Sequence, residues 1–585
     1  MDLLFKTLFP KIFFIILIFG SDALSAQNMS KEGKRERMLA DLDFIKNVFH
    51  DNYAPAEWKK AYSGWDSEVA IMETKQQILD NDFLSVKQFQ KMLKSFFISA
   101  KDYHVSVLFH STEKASLPFR IKGANGRYFF SFIDEAAHSS KTSFPFAVGD
   151  ELLLIDHLPT DQVIGDLRAK EVGFNYEKTD MALAELFLTI RLGTLGHEIP
   201  QGKILLTGRK ANSSSLVEHQ LEWDYKSEKV CEPFNALEKQ LRSNNFPLDR
   251  VRRRRPPFSK DSFFKKSFCF PQYHALAASN ERQNEIGAKK SFLPSLGKVL
   301  WKASEESLFE AYLFALPSGK SGGYIRIPSY DFSDADMAAA EFADIIDIFQ
   351  KRSDVLVIDQ VNNPGGLVLL MYAMASMLTD QPLSVPMHRL MITQEDIFFA
   401  ISEIPLLESI QTNQEALDLL GDSLIGFPMT YELIQSLKNH AQILIEEWNS
   451  GRQLTEPLFL YGIGPILPHP KVNYTKPILI LVNSLAFSAG DFFPAIFQDN
   501  GRAKVIGTRT AGAGGYLVGA SFRNLNGIAD FHYTGSIAER SNRHLIENFG
   551  VTPDIPYETN ERDLQNNYCE YVEKILQTLE TQLAI

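Results

Sequence analysis

"DVLVIDQVNNPGGLVLL", residues 354–370, carries three instructions in one line. Val355 to Ile358 is an unbroken apolar run, which suits a strand covered on both faces. Asn362, Asn363, Pro364, Gly365 and Gly366 then interrupt it, because Pro and paired Gly belong in turns rather than element interiors. Apolar residues resume from Leu367 at the density of a buried helix. A buried strand, a tight turn and a helix form half of a βαβ unit.

The pattern repeats on either side. "GYIRIPSY" (323–330), "PILILVN" (477–483) and "AKVIGT" (503–508) read as strands, and "ADMAAAEFADIIDIFQ" (335–350) reads as a helix. Strands alternating with helices predict an α/β core with a mostly parallel sheet over 291–585. Binding sites in such sheets lie at the carboxyl ends of strands.

Towards the N-terminus the pattern changes. Residues 111–235 hold short β-like runs, among them "FAVGDELLLIDHLPTDQV" (146–163), which has the shape of a PDZ-like module. Such modules take peptides as an added strand, although other small β units share the pattern. Residues 27–110 read as amphipathic helices, as in "MLADLDFIKNVF" (38–49), followed by a period-2 stretch, "DYHVSVLFH" (102–110), with His104 at its start.

Lys6 and Lys11, the run "IFFIILIFG" (12–20) and the small residues Ala23, Ser25 and Ala26 read as a signal peptide over 1–26. The run is too short to span a bilayer, so the mature chain is expected to be exported without stable membrane insertion. At 585 residues the chain has room for three or four units of ~150 residues. A net charge of -12 argues against a nucleic-acid partner. Cys231, Cys269 and Cys569 are too few and too scattered for a disulfide framework or a zinc site, and no metal or organic cofactor is expected.

Two βα junctions carry candidate chemistry. The glycines after Val361 would let backbone N–H groups face an oxyanion, or serve only the geometry of the turn. The second junction is "LVNSLAFSAGDFFPA" (481–495), where Ser488 stands among Ala486, Ala489 and Gly490 before a helix. Taken alone, Ser488 reads as an N-cap. As a nucleophile it would have clearance from its small neighbours, and the Ala489 N–H would be free for the developing charge. Ala486 stands where the hydrolase elbow GxSxG needs Gly.

Together, "IDQVNNPGG" and "VNSLAFSAGDFFPAIFQDNGRAKVIGTRTAGAGG" resemble the C-terminal processing, or tail-specific, peptidases. That resemblance implies a serine protease with a crotonase-like core and a PDZ domain. The usual members place a basic lysine 25 residues after the serine; here that position is Ala513. A serine without a base is a poor nucleophile. The chain is closer to a secreted branch with a Ser/His/Glu triad, through "YAPAEWKKAYSGWD", "KDYHVSVLF" and "LIENFGVTPDIP". By that match His104 is the base, Ser488 the nucleophile and Glu547 the acidic member, with Glu539 and Asp554 as neighbouring carboxylates. The resemblance places the oxyanion hole at the backbone N–H of Ala489 and of Gly365 or Gly366.

Residues 236–290 form an insert containing "DRVRRRRPPFSKDSFFKKSF" (249–268), with eight basic residues against two acidic ones. By composition it is a solvated linker or a basic patch. The resemblance makes it an inhibitory segment removed by self-cleavage in a homodimer. It further implies protein substrates, host proteins among them. The competing readings are a peptide-binding protein on a protease-derived scaffold, for which the missing lysine argues, and a crotonase-type acyl-CoA enzyme.

Overall fold

The computed structural model describes residues 31–134, 144–211, 213, 215–230, 267–279 and 286–584. The signal-peptide reading of 1–26 and the arginine run of the insert lie outside the described residues. Among those described, no helix is long and apolar enough to cross a membrane.

The C-terminal core is a seven-stranded sheet in the order Val299–Lys302, Glu310–Ala315, Ser321–Arg326, Val355–Asp359, Ile478–Val482, Lys504–Gly507, Ile555–Pro556. From Ser321–Arg326 onward every neighbouring pair is parallel. The reason is visible residue by residue. Leu356, Ile358, Ile478, Ile480 and Val505 point into one core with Phe342, Phe349, Phe493 and Phe497. Val355, Val357, Leu479, Leu481 and Ile506 point to the other face, against Tyr571, Ile575 and Leu579 of the helix Cys569–Ala584. Alternation at period two, apolar on both sides, needs helices on both faces.

The α/β prediction holds, and the β-rich module is present beside it. Its antiparallel sheet runs Phe119–Ala124, Arg127–Ile133, Glu151–Ile155, Lys203–Arg209, Leu216–Glu222, with the helices Thr160–Leu167 and Glu177–Thr189 packed on it.

The N-terminal helices, Lys31–Asn52, Ala56–Ser63, Ser67–Leu79 and Val86–Ser99, do not close a core by themselves. Phe49, Phe89, Leu93 and Phe97 share one cluster with Ile528, Phe531 and Tyr533 of the distant strand Ile528–Thr534. Ser106–Phe109 pairs antiparallel with that same strand. Residues more than 400 positions apart therefore fold as one layer, and this layer delivers His104 to the core.

Candidate active site

His104 sits in the turn just before the strand Ser106–Phe109, not within it. Asp102 shapes that turn. Its Oδ1 accepts the His104 N–H at 2.9 Å, while Oδ2 accepts the hydroxyls of Tyr53 (3.0 Å) and Thr534 (2.8 Å). One carboxylate thus ties the turn to the connection just after the helix Lys31–Asn52 on one side and to a distant strand on the other.

Ser488 takes the N-cap position of the helix Ala489–Asp499, with φ +60°. A non-glycine residue there costs about 1–3 kcal/mol and persists only where its surroundings enforce it. The enforcing contacts are identifiable. Asp491, fully buried, accepts the N–H groups of Ser488 (2.7 Å), Gly512 (2.8 Å) and Ala513 (3.0 Å) and the Thr510 hydroxyl. The two βα junctions are also joined directly: Phe487 donates to the Asn363 carbonyl at 2.9 Å, and the Asn362 N–H donates to Asn483 Oδ1 at 2.8 Å.

These constraints bring His104 Nε2 to 2.8 Å from Ser488 Oγ, both residues fully buried. Burial pushes the imidazole down to about 4; Asp102 opposes the shift and His532 adds to it. The ring is therefore neutral at ordinary pH and able to accept a proton. Its Nδ1 makes no hydrogen bond of ordinary geometry among the described residues, though the neighbouring Gly514 backbone favours the protonated form.

Glu547 is buried beside this pair but does not hydrogen-bond to His104. Its Oε1 pairs with Lys59 Nζ at 2.6 Å and its Oε2 accepts the Gly514 N–H at 2.9 Å. Burial pushes the carboxyl up to about 8, Asp102 reinforces this, and Lys59 opposes it. Of the two neighbouring carboxylates, Glu539 pairs with Arg389, and Asp554 accepts the Val505 N–H.

The backbone N–H groups expected to form an oxyanion hole differ in availability. The Ala489 N–H has no acceptor among the described residues, as expected of a first helical turn. The Gly365 N–H is spent on Asn363 Oδ1 at 2.8 Å. Gly366 pairs with Phe268 in an antiparallel ladder. Since the Phe270 N–H donates to the Pro364 carbonyl at 2.6 Å, alternation makes Phe268 and Gly366 a hydrogen-bonded pair. Both glycines are required: φ is +94° at Gly365, and a Cβ on Gly366 would stand 2.1 Å from the Tyr330 carbonyl carbon.

The insert thus reaches the site. Its strand Ser267–Cys269 lies along Gly365–Leu367, and the buried Phe270 ring stacks on Phe487, with centroids 4.3 Å apart. Ala513 belongs to the same apolar cluster.

Sequence reasoning missed Asp102, Asp491 and Lys59. Asp491 stands at the N3 position of a capping box, a spacing open to reading. Lys59 carries no local signal, since its side-chain partners, Glu547 and Asn548, are nearly 500 residues away.

Comparison with known proteins agrees with this architecture. Residues 321–557 match peptidase family S41, and residues 113–230 match a PDZ domain family. An uncharacterised protein of Chlamydia muridarum is 35% identical, covering 98% of this chain and 97% of that protein. The chain belongs to peptidase family S41, and so to the serine proteases. Within that family it resembles CPAF, the chlamydial protease-like activity factor: mature CPAF superposes with a TM-score of 0.80 at 32% identity, covering 94% of this chain and 98% of that one. Mature CPAF complexed with lactacystin matches equally well, at TM-score 0.80 and 32% identity, over 94% of this chain and 99% of that one.

Proposed function

We propose that this chain is an exported serine endopeptidase that cleaves proteins by acyl transfer through Ser488. His104 serves as base and Glu547 as the acidic member. The observation that carries the reading is the 2.8 Å contact between His104 Nε2 and Ser488 Oγ. As Oγ attacks a peptide carbonyl, Nε2 takes its proton and later gives it to the leaving amine; water then repeats the sequence on the acyl-enzyme. The Ala489 N–H is the donor for the developing oxyanion, and the Asp102 and Glu547 carboxylates offset the charge of the imidazolium.

Ala513 removes the lysine base of the usual relatives, and His104 takes its place. The insert is the inhibitory element: Ser267–Cys269 lies where an extended substrate would add to Gly365–Leu367, and it occupies the Gly366 N–H. Self-cleavage would free that edge, in a homodimer acting on host proteins. The likeness to mature CPAF supports this maturation reading.

Replacing Ser488 with Ala tests the proposal against a peptide-binding protein. The enzyme loses both casein hydrolysis and conversion of the precursor to two chains. If S488A still converts itself, the proposal fails.

A further inference from the structure

Lys59 is a fully buried lysine whose three ammonium hydrogens are all engaged: by Glu547 Oε1 (2.6 Å), Asn548 Oδ1 (2.6 Å) and the Lys101 carbonyl (2.8 Å). It projects from the short helix Ala56–Ser63, outside both family-matched regions. Asn548 extends the network, donating to the Lys101 carbonyl (2.8 Å) and to Asn175 Oδ1 (2.6 Å). Lys101 is three residues from His104, so one ammonium fixes the segment bearing the base and the segment bearing the acid at once.

An isolated charge in this position would be prohibitive, and breaking one partner of a buried pair is far costlier than the pair itself is favourable. The groups facing Glu547 are Lys59, the Gly514 N–H, Asp102, and the Tyr53 ring near both carboxylates. Lys59 is the only cation among these groups. Without it, two carboxylates would share a water-poor site with no cation between them, and proton uptake by Glu547 would be favoured further still.

We propose that Lys59 is a positioning residue of the peptidase: it holds Glu547 in place and opposes the proton uptake that burial and Asp102 favour there, so that the acid can offset the imidazolium of His104 in the transition state. This rests on the assignment of Glu547 above. It explains why a chain without the family's catalytic lysine keeps a different lysine buried in its site.

The test compares full-length Lys59→Met, Lys59→Gln, Glu547→Gln and the Lys59→Met/Glu547→Gln double variant, with casein as substrate. Lys59→Gln retains hydrogen bonding without charge and serves if Met is not tolerated in the slot. The expected result is a loss of about 100-fold in kcat for either Lys59 variant with KM unchanged, and an acid limb of the pH profile moved upward by about 1 unit or more. The double variant should be no slower than Glu547→Gln alone, because both changes remove the same charge. Unchanged kcat and an unmoved acid limb, with only thermal stability lowered, would make Lys59 structural and overturn the proposal. Multiplicative losses in the double variant would overturn it too. Full activity in Glu547→Gln would instead sink the assignment of the acid, a distinct outcome.

Discussion

The Ala513 amide donates to Asp491 Oδ2 at 3.0 Å, at the position where related peptidases carry their lysine. The methyl group itself is buried with Tyr103, Phe187, Phe270 and Phe487. The loop that would present a base is here turned into a support: its amides fix Asp491, and Asp491 fixes the strained Ser488 backbone.

Restoring the family residue should therefore fail. Ala513→Lys would force an ammonium into an apolar cluster whose nearby carboxylate is saturated, at a cost of about 3 kcal/mol or more. Denaturant unfolding should show that loss. Casein hydrolysis by His104→Ala/Ala513→Lys should remain at the level of His104→Ala; recovery of activity would show that the lysine site is still functional.

Asp491→Asn exchanges an acceptor for a donor facing N–H groups, and should cost about 2–4 kcal/mol. It should also change the pH response. Burial lifts the Asp491 carboxyl from 3.8 to about 6. A raised folded value means that the native state holds the proton more tightly, so this group's contribution is fullest below about pH 4 and fades as pH rises through 6. Urea titrations at several pH values should find that slope in the parent and not in the variant.

His104 gives the opposite slope. Its folded value is depressed from 6.5 to about 4, so its contribution is complete above pH 6.5 and is lost as pH falls towards 4. Between pH 6.5 and 4.5 the parent should lose about 2 kcal/mol more stability than His104→Asn. Equal losses in the two proteins would mean that the imidazole is hydrated.

Phe270→Ala removes the ring that anchors the insert on Phe487, a truncation worth about 3 kcal/mol. If the insert is the inhibitory element proposed above, loss of this anchor should hasten conversion of the precursor to two chains, as followed by gel over time. Slower conversion would mean that Phe270 presents the cleavage point rather than protecting the site.

Much of this was legible in the chain. The apolar strands, the Asn-Asn-Pro-Gly-Gly turn and Ser488 before a helix are local patterns, and local patterns survive in one dimension. His104 and Glu547 were reachable only through resemblance, since nothing near either residue marks it out. What stayed hidden was long-range: Asp102 bracing a turn against Tyr53 and Thr534, and Lys59 meeting Glu547 across 488 positions. The limits of the N-terminal layer were hidden for the same reason, because its helices complete their core on Ile528, Phe531 and Tyr533.

Ser267 pairs with Leu367 on one side and with Leu517 on the other. Through that short strand, a five-stranded sheet runs unbroken from the ribbon beside His104 to the glycines beside Ser488. On the reading proposed above, the segment is a splint as well as a plug. If it is excised in the maturation proposed above, the ladder parts at its fourth rung, and the halves carrying His104 and Ser488 gain a freedom to shift against each other that the precursor lacks. Maturation would then alter the stiffness of the molecule as much as access to its cleft.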